Sequence, residues 1–408
     1  MKPVIKELRS RGWQSVIYLD DILLMGDSVS ICKGNIAETT SLLQSLGFKI
    51  NVKKSQLEPS RICKFLGFII DTQCFCMRLP EEKRDKIKSS AKSLKTKPMV
   101  KIAVLAQFIG YLVAACPAVQ YGMVYTKQLE RQKVLALRKH NANYEQKVHI
   151  DVCIHEDLDW WINNIDRANN PIREGKYVLE IFSDASLSGW GVSCGGNYSH
   201  GWWSVEEKQD HINLLELKAA FYGLKCFAFA LKSAEILLRI DNSTAISYIN
   251  KMGSIRYQKL TKLSREIWRW CQDRNLWIRA TYIKSSRNVE ADRESRIISE
   301  ETEWELADYA FKEIVLCFGK PHVDLFATNI NKKCQIFYSW FPDPEASAVD
   351  AFAVDWSCLK FYAFPPFALI LKVIRKIIND QAEGVLVVPN WPSRPWFPLF
   401  NELLISQP

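Results

Sequence analysis

Asp184 closes an apolar run in Phe182-Ser183-Asp184-Ala185, Glu216 lies within Asn213-Leu214-Leu215-Glu216-Leu217, Asp241 follows Arg239-Ile240, and Asp292 ends Asn288-Val289-Glu290-Ala291-Asp292. Four carboxylates gathered at one point can hold two Mg²⁺ about 4 Å apart, stabilising both the attacking water and the leaving oxygen in phosphodiester hydrolysis. Singly, each has a structural use: Asp241 and Asp292 can cap helices, and Glu216 can be an exposed helical acid. A second acidic pair, Asp20 and Asp21, splits the apolar runs 16–19 and 22–25, and no Lys or Arg lies within this hairpin to neutralise it. Ionised carboxylates beside a sheet core need a partner, which a divalent metal supplies; a turn open to water is the alternative.

Positioning the four acids requires strand ends and a facing helix. Residues 177–182 and 189–194 read as strands, with Gly195-Gly196-Asn197 as a hairpin turn before Gly201-Trp202-Trp203. A helix over 213–229 follows, with Leu214, Leu217, Phe221 and Leu224 on one stripe; then come a strand over 236–240, a helix over 244–252 and a strand over 277–283. This predicts one α/β domain over 176–300. Trp190, Trp202 and Trp203 fall at strand positions suited to packing, and the isolated His200 and His211 lack ligand spacing.

Upstream, a hairpin around Asp20-Asp21, a helix over 36–46 with its apolar face set by Ile36, Leu42, Leu43 and Leu46, and strands over 48–52 and 65–70 predict a compact α+β segment, 1–78. Residues 79–101 carry Lys83, Arg84, Lys86, Lys88, Lys92, Lys95, Lys97 and Lys101 against only Glu81, Glu82 and Asp85. A helix with one positive side results, either solvated or laid on phosphates. Helices continue through a segment 79–150 and a linker helix within 151–175. An acidic connector over 301–320, with Glu300, Glu301, Glu303 and Glu305 around its start, leads to a last block, 321–408, whose strands 323–326, 361–364 and 385–388 and helix 367–378 predict a small parallel α/β layered unit. Its aromatic and proline-rich end, 389–398, reads as a rigid packing wall.

The whole is an α/β and α+β multidomain chain. Its 408 residues exceed one ordinary core, and 48% hydrophobic with 24% charged residues excludes a disordered chain. Fifty-four Lys and Arg against forty-five Asp and Glu leave +9, which suits a polyanionic partner. Twelve scattered cysteines contain no C-x-x-C pair, so reduced thiols are expected. The N-terminus lacks an apolar signal region, and 102–119, broken by Gln107, Gly110 and Pro117, reads as a buried helix followed by a turn. No membrane partner is expected, and the location is intracellular, in cytoplasm, nucleus or both.

Tyr18-Leu19-Asp20-Asp21 resembles the Tyr-x-Asp-Asp box of reverse transcriptases. Leu46-Gly47-Phe48, then Asn51, Lys53, Lys54 and Ser55, then Phe65-Leu66-Gly67-Phe68 with Ile70-Asp71, resemble the same family in the same order. That likeness implies the C-terminal part of a palm with metal at Asp20 and Asp21, nucleic acid near Tyr18, Lys53 and Lys54, and a helical thumb or connection whose Lys83, Lys88 and Lys95 face the duplex. Only nineteen residues precede Asp20, so the polymerase half is expected to be truncated and silent by itself.

The order strand, helix, strand, helix for Asp184, Glu216, Asp241 and Asp292 resembles the ribonuclease H family. It implies two Mg²⁺ held by those four, with Asp184 bridging, and cleavage of the RNA strand of RNA–DNA hybrids. The family's loop histidine is missing from 280–287. Val323-Asp324-Leu325-Phe326 and Phe364-Pro365-Pro366-Phe367 resemble DNA methyltransferase motifs, but no glycine follows Phe326 and Phe364 cannot accept a hydrogen bond, so an inactive domain is expected. The succession resembles DIRS-type retrotransposon polyproteins. Implied partners are an RNA–DNA hybrid or other nucleic acid, the missing polymerase part and other element-encoded proteins. The alternative is a catalytically silent relic that binds nucleic acid or a partner.

Overall fold

The computed structural model describes residues 2–297 and 305–406, and the backbone separates between Glu174 and Gly175 into two compact units. The first begins with α1 (Lys2–Ser10), the hairpin strands β1 (Gln14–Tyr18) and β2 (Asp21–Met25), and α2 (Val29–Ser45). The hydroxyl of Ser28 accepts the Ile31 N–H at 3.2 Å and so starts α2 seven residues ahead of the expected helix. Its inward face is Asn35, Thr39 and Leu43, whereas Leu46 is exposed. The fully buried Asn35 amide donates to the carbonyls of Gln14 (2.8 Å) and Met25 (3.0 Å), tying both ends of the hairpin to the helix.

No strand forms over 48–52; the chain leaves α2 through Gly47 at φ +84° and runs irregularly into a single turn at Val52–Lys54. The strand expected over 65–70 is instead a hairpin, β3 (Ile62–Phe65) and β4 (Phe68–Asp71), because Leu66 and Gly67 both take positive φ and reverse the chain. β5 (Cys76–Arg78) continues this antiparallel sheet, which is closed by β8 below. The lysine-rich helix α3 (Glu81–Thr96) leads to β6 (Met99–Lys101), the apolar α4 (Ile102–Ala115), α5 (Lys127–Lys139), β7 (Lys147–His149), α6 (His155–Asn164) and β8 (Asn169–Pro171). α4 buries Ile102, Leu105, Phe108, Ile109 and Leu112. α6 is no free linker: Trp161 is fully buried and its indole N–H donates to the Tyr125 carbonyl at 3.1 Å. Among the described residues no helix is long and apolar enough to cross a membrane.

The second unit opens with β9 (Leu179–Ala185), β10 (Gly189–Cys194), β11 (Asn197–Trp202), α7 (Ile212–Ala228), β12 (Glu235–Ile240), α8 (Ser243–Asn250), α9 (Gln258–Asp273), β13 (Trp277–Tyr282) and α10 (Val289–Ser295). Its sheet order is β11-β10-β9-β12-β13, antiparallel on the β11 side and parallel from β9 to β13. Fully buried Ile181, Val192, Leu215, Leu238 and Trp268 mark the core under α7 and α9. α10 covers the opposite face of β10.

The rest of the unit is α11 (Asp308–Phe318), β14 (Val323–Asp324), β15 (Ile336–Ser339), β16 (Ala348–Val349), β17 (Phe361–Ala363), α12 (Ile370–Asp380), β18 (Gly384–Leu386) and α13 (Phe397–Glu402). Its five strands are all parallel in the order β16-β15-β14-β17-β18. Trp356, Phe361 and Val373 form one core, and Ile370, Ile374 and Trp396 another. Much of the stretch expected as an acidic connector is α11; Glu300, Glu301 and Glu303 lie outside the described residues, while Glu305 pairs with Lys333 at 2.8 Å. This block caps the β11 edge: the Pro342 carbonyl accepts from the Ser199 hydroxyl and from Cys226 Sγ at 3.4 Å. The chain is thus a mixed α/β multidomain protein.

Candidate metal centre and active site

Asp184 sits near the end of β9, Glu216 in the second turn of α7, and Asp241 one residue beyond β12. A parallel pair of strands delivers Asp184 and Asp241 to the same end of the sheet, and α7, packed across β9, delivers Glu216. One carboxylate oxygen from each lies within 4.8 Å of the other two. Asp184 and Glu216 are buried, 5% exposed each.

Burial pushes the Glu216 carboxyl up to about 9, with the neighbouring charges of Asp184 and Asp241 adding to it and the Ala185 N–H opposing. Burial likewise raises Asp184, aided by Asp241 and Asp292 and opposed by a hydrogen bond from Ser295. Glu216 Oε2 is buried without a hydrogen-bond partner. Among the described residues no Lys or Arg bonds any of the three. Three hard oxygen donors, crowded, without a bonded cation and with one oxygen orphaned, fit a divalent cation of the Mg²⁺ kind.

Asp292 behaves differently. It lies on α10, close enough to raise Asp184, but its Oδ1 accepts from Arg296 Nε (2.9 Å) and Nη2 (2.8 Å), one helical turn away. The structure therefore gathers Asp184, Glu216 and Asp241 and turns Asp292 to Arg296 beside them.

Two serines that sequence reasoning passed over hold two of the three. Fully buried Ser295 donates to Asp184 Oδ2 at 2.7 Å, and Ser285 donates to Asp241 Oδ2 at 2.8 Å. Ser295 follows Asp292 by three residues on α10, so helical spacing from a candidate acid is the signal that would have found it. Ser285 stands in the loop from which the histidine is missing. The helix approaches this closely because position 191, opposite Asp184 on β10, is glycine: a Cβ there would meet the Ala291 carbonyl oxygen and the Ser295 nitrogen at 2.3 Å. Asn242 caps α8 by accepting from Thr244 and Ala245 N–H, both 3.0 Å, and its amide donates to Asn213 at 2.9 Å, joining the segments that carry Asp241 and Glu216.

The remaining candidates are not among the three carboxylates gathered here. His200 bonds Glu294 at 2.9 Å, and His211 Nδ1 accepts the Asn213 N–H as the α7 cap. In the first unit, Tyr18 pairs with Asp21 across a two-residue turn, Leu19 holds a positive φ of 53°, and Asp20 and Asp21 are exposed. Among the described residues no third carboxylate, histidine or cysteine joins that pair as one does at Asp184. Lys53 and Lys54 close an exposed turn capped by Asn51. The expected phosphate-facing row on α3 is largely spoken for: Lys83 donates to the Gly67 carbonyl (2.8 Å), Lys88 pairs with Asp166, and Lys95 with Asp159 (2.6 Å). Two of these pairs clamp α3 to α6 and the segment after it, so these two charges are met by acids at the surface of the unit.

Residues 1–70 match the reverse transcriptase (RNA-dependent DNA polymerase) family. Over 269 residues the chain is 25% identical to the enzymatic polyprotein of Cauliflower mosaic virus (strain D/H), covering 62% of this chain and 36% of that one. Over 236 residues it is 25% identical to Protein P of Hepatitis B virus genotype B1, covering 56% and 24%. The chain thus spans less than half the length of these curated relatives. Among solved structures, the foamy viral protease-reverse transcriptase in complex with RNA/DNA hybrid is 16% identical over 75% of this chain and 40% of that chain, with a TM-score of 0.37. RNase H1 from Halobacterium salinarum NRC-1 is 17% identical over 28% and 92%, with a TM-score of 0.24. The family match and the viral relatives support a retroelement polyprotein that contains a reverse transcriptase.

Proposed function

We propose that this chain is a reverse transcriptase and ribonuclease H segment of a DIRS-type retroelement polyprotein, whose 176–300 domain hydrolyses the RNA strand of RNA–DNA hybrids with two Mg²⁺. The observation that carries this reading is the convergence of Asp184, Glu216 and Asp241 oxygens within 4.8 Å at the end of a mixed sheet. Asp184, held by Ser295, keeps its other oxygen for ligation; Glu216 and Asp241 flank it; and Asp292 completes the site once it releases Arg296. Bound Mg²⁺ would supply Lewis-acid stabilisation of the attacking and leaving oxygens. The residues themselves fix the ligand oxygens, and the bound cation would offset the burial and mutual repulsion that otherwise favour their protonated forms.

The segments 1–78 and 79–150 are read as palm and thumb or connection, with no DNA synthesis assigned to them alone. In 321–408 the parallel sheet supports a methyltransferase-like fold without activity: both Asp324 oxygens are engaged, accepting the Phe326 N–H (3.3 Å) and the Lys333 N–H (3.0 Å), and Phe364 occupies the amine-binding position. The decisive experiment incubates the protein with a labelled RNA–DNA hybrid and Mg²⁺ beside its Asp241→Asn variant. Cleavage of RNA by the parent and none by the variant is expected. Absence of cleavage by both, with equal hybrid binding, leaves the silent binding relic.

A further inference from the structure

Beside the carboxylate centre, on the part of α10's own sheet face that the helix does not cover, lies a groove of about 770 Å³. Its floor is Phe182 on β9 and Arg239 on β12, which are direct partners in the parallel ladder. Strand alternation puts Phe182 on the same face as Asp184, and Arg239 on the same face as Asp241, so the floor runs on into the metal centre. Its wall is the end of β13 and the turn after it, Tyr282, Lys284 and Arg287. Ser285, between those two cations, is the residue that bonds Asp241, which places the wall one residue from a candidate ligand.

The electrostatics of the groove are one-sided. Arg239 pairs with Glu180 at the rim and donates to Thr281 Oγ1 at 3.1 Å. Lys284 and Arg287 are exposed, and among the described residues neither has a carboxylate partner. Tyr282 is 62% exposed, a large flat apolar face left in water next to two cations. Unpaired cations beside an exposed aromatic are the combination that takes a nucleic-acid strand, with phosphates on the cations and a base on the ring. On α3, Lys88 and Lys95 lack this property, since they already pair with Asp166 and Asp159.

We infer that this groove binds the phosphodiester backbone of a nucleic-acid strand running away from the carboxylate centre, with Lys284 and Arg287 on successive phosphates and Tyr282 under a base. The inference deepens the nuclease reading by naming where the strand lies, and its test does not require cleavage. Fluorescence anisotropy in EDTA would compare the parent with Lys284→Ala/Arg287→Ala and with Tyr282→Ala, using a labelled RNA–DNA hybrid and the corresponding single strand.

The double variant should lose about tenfold in affinity, and the slope of log K against log salt should fall by roughly 1.4 on the single strand or 1.8 on the hybrid, two phosphate contacts' worth. Tyr282→Ala should lose about tenfold on the single strand with an unchanged slope. Loss confined to one probe supports the groove and identifies its strand source. Unchanged affinity and slope for the double variant on both probes overturns it; because all three side chains are at the surface, unchanged melting temperatures exclude misfolding as the cause of any loss. Cleavage with Mg²⁺, read in parallel on the parent, separates the two readings. A parent that fails to cleave while the double variant loses affinity sinks the nuclease and spares the groove, and a cleaving parent with unaffected variants does the reverse.

Discussion

The hairpin at Asp20-Asp21 and the cluster at Asp184, Glu216 and Asp241 each set acids at a strand end, yet they differ in everything that surrounds them. The hairpin is a two-stranded ribbon with Val16, Tyr18, Leu19 and Met25 exposed, and its acids are in water. A ribbon of that size is marginal by itself, and here it is tied down through one buried amide, Asn35. The cluster rests on a five-stranded sheet with helices on both faces, and two of its acids are buried. Carboxylates crowded within 4.8 Å repel one another, and a fold holds them there only when packing elsewhere opposes that repulsion. The lesson is that matching motifs imply unequal sites: one set of acids is pre-assembled, and the other waits for further ligands.

The contrast breaks first at the chemistry. Asp184→Asn should lower Mg²⁺-dependent hybrid cleavage by more than about 100-fold, beyond the range usual for outer-sphere partners of a metal, whereas Asp20→Asn/Asp21→Asn should leave it unchanged. Steady-state cleavage rates decide this, and a comparable loss from the hairpin pair would erase the distinction drawn here.

Next comes pH. The folded Glu216 carboxyl is raised to about 9 from an ordinary 4.5, so its stabilising contribution is complete below about 4.5 and is lost as pH climbs towards 9. Metal-free protein should therefore melt lower at pH 8 than at pH 5, by roughly 5–10 °C for a unit of this size. Glu216→Gln should flatten that slope, and Mg²⁺ should raise the melting temperature more at pH 8 than at pH 5. Differential scanning calorimetry across pH, with and without Mg²⁺, reads all three; a melting temperature that rises with pH in the metal-free parent would show that Glu216 is ionised in the fold.

Ser295→Ala should weaken Mg²⁺ binding by about 10-fold, measured calorimetrically, with Ser295→Thr restoring part of it, because the hydroxyl orients Asp184 without touching the cation. Asn35→Ala should destabilise the first unit by about 1–3 kcal/mol, the cost of losing two part-buried hydrogen bonds from a buried amide, while cleavage in the second unit persists. Hydrogen exchange at 14–25 should rise in that variant alone. The smallest effect is expected at the clamp of α3 to α6, where Lys95→Ala should cost about 1 kcal/mol or less, since the pair is largely exposed.

Much of the second unit was legible from residue order. Alternating apolar runs, the Gly195-Gly196 turn and the stripe of Leu214, Leu217, Phe221 and Leu224 predict strands and a helix within a few residues of those observed. The first unit was less so. A strand over 48–52 failed because nothing pairs with it, and the Leu66-Gly67 reversal was hidden by an apolar pattern that continues through the turn. The lysine row read as either a solvated or a phosphate-facing side because charge composition says nothing of the acids that meet Lys88 and Lys95 from 78 and 64 residues away, Asp166 and Asp159.

Residue type and spacing by themselves determined which acids could serve and which elements would carry them, since both depend on local periodicity. Only the tertiary structure decided that three of the four acids converge while Asp292 leans on Arg296, and that Gly191 lets α10 close over Asp184. It also decided that Lys284 and Arg287 stay without a carboxylate partner while Lys88 and Lys95 of α3 meet Asp166 and Asp159. The physical reason is range: helix and strand preferences act over a few residues, whereas carboxylate repulsion, close backbone approach and charge pairing depend on distances set by packing between segments far apart in the chain.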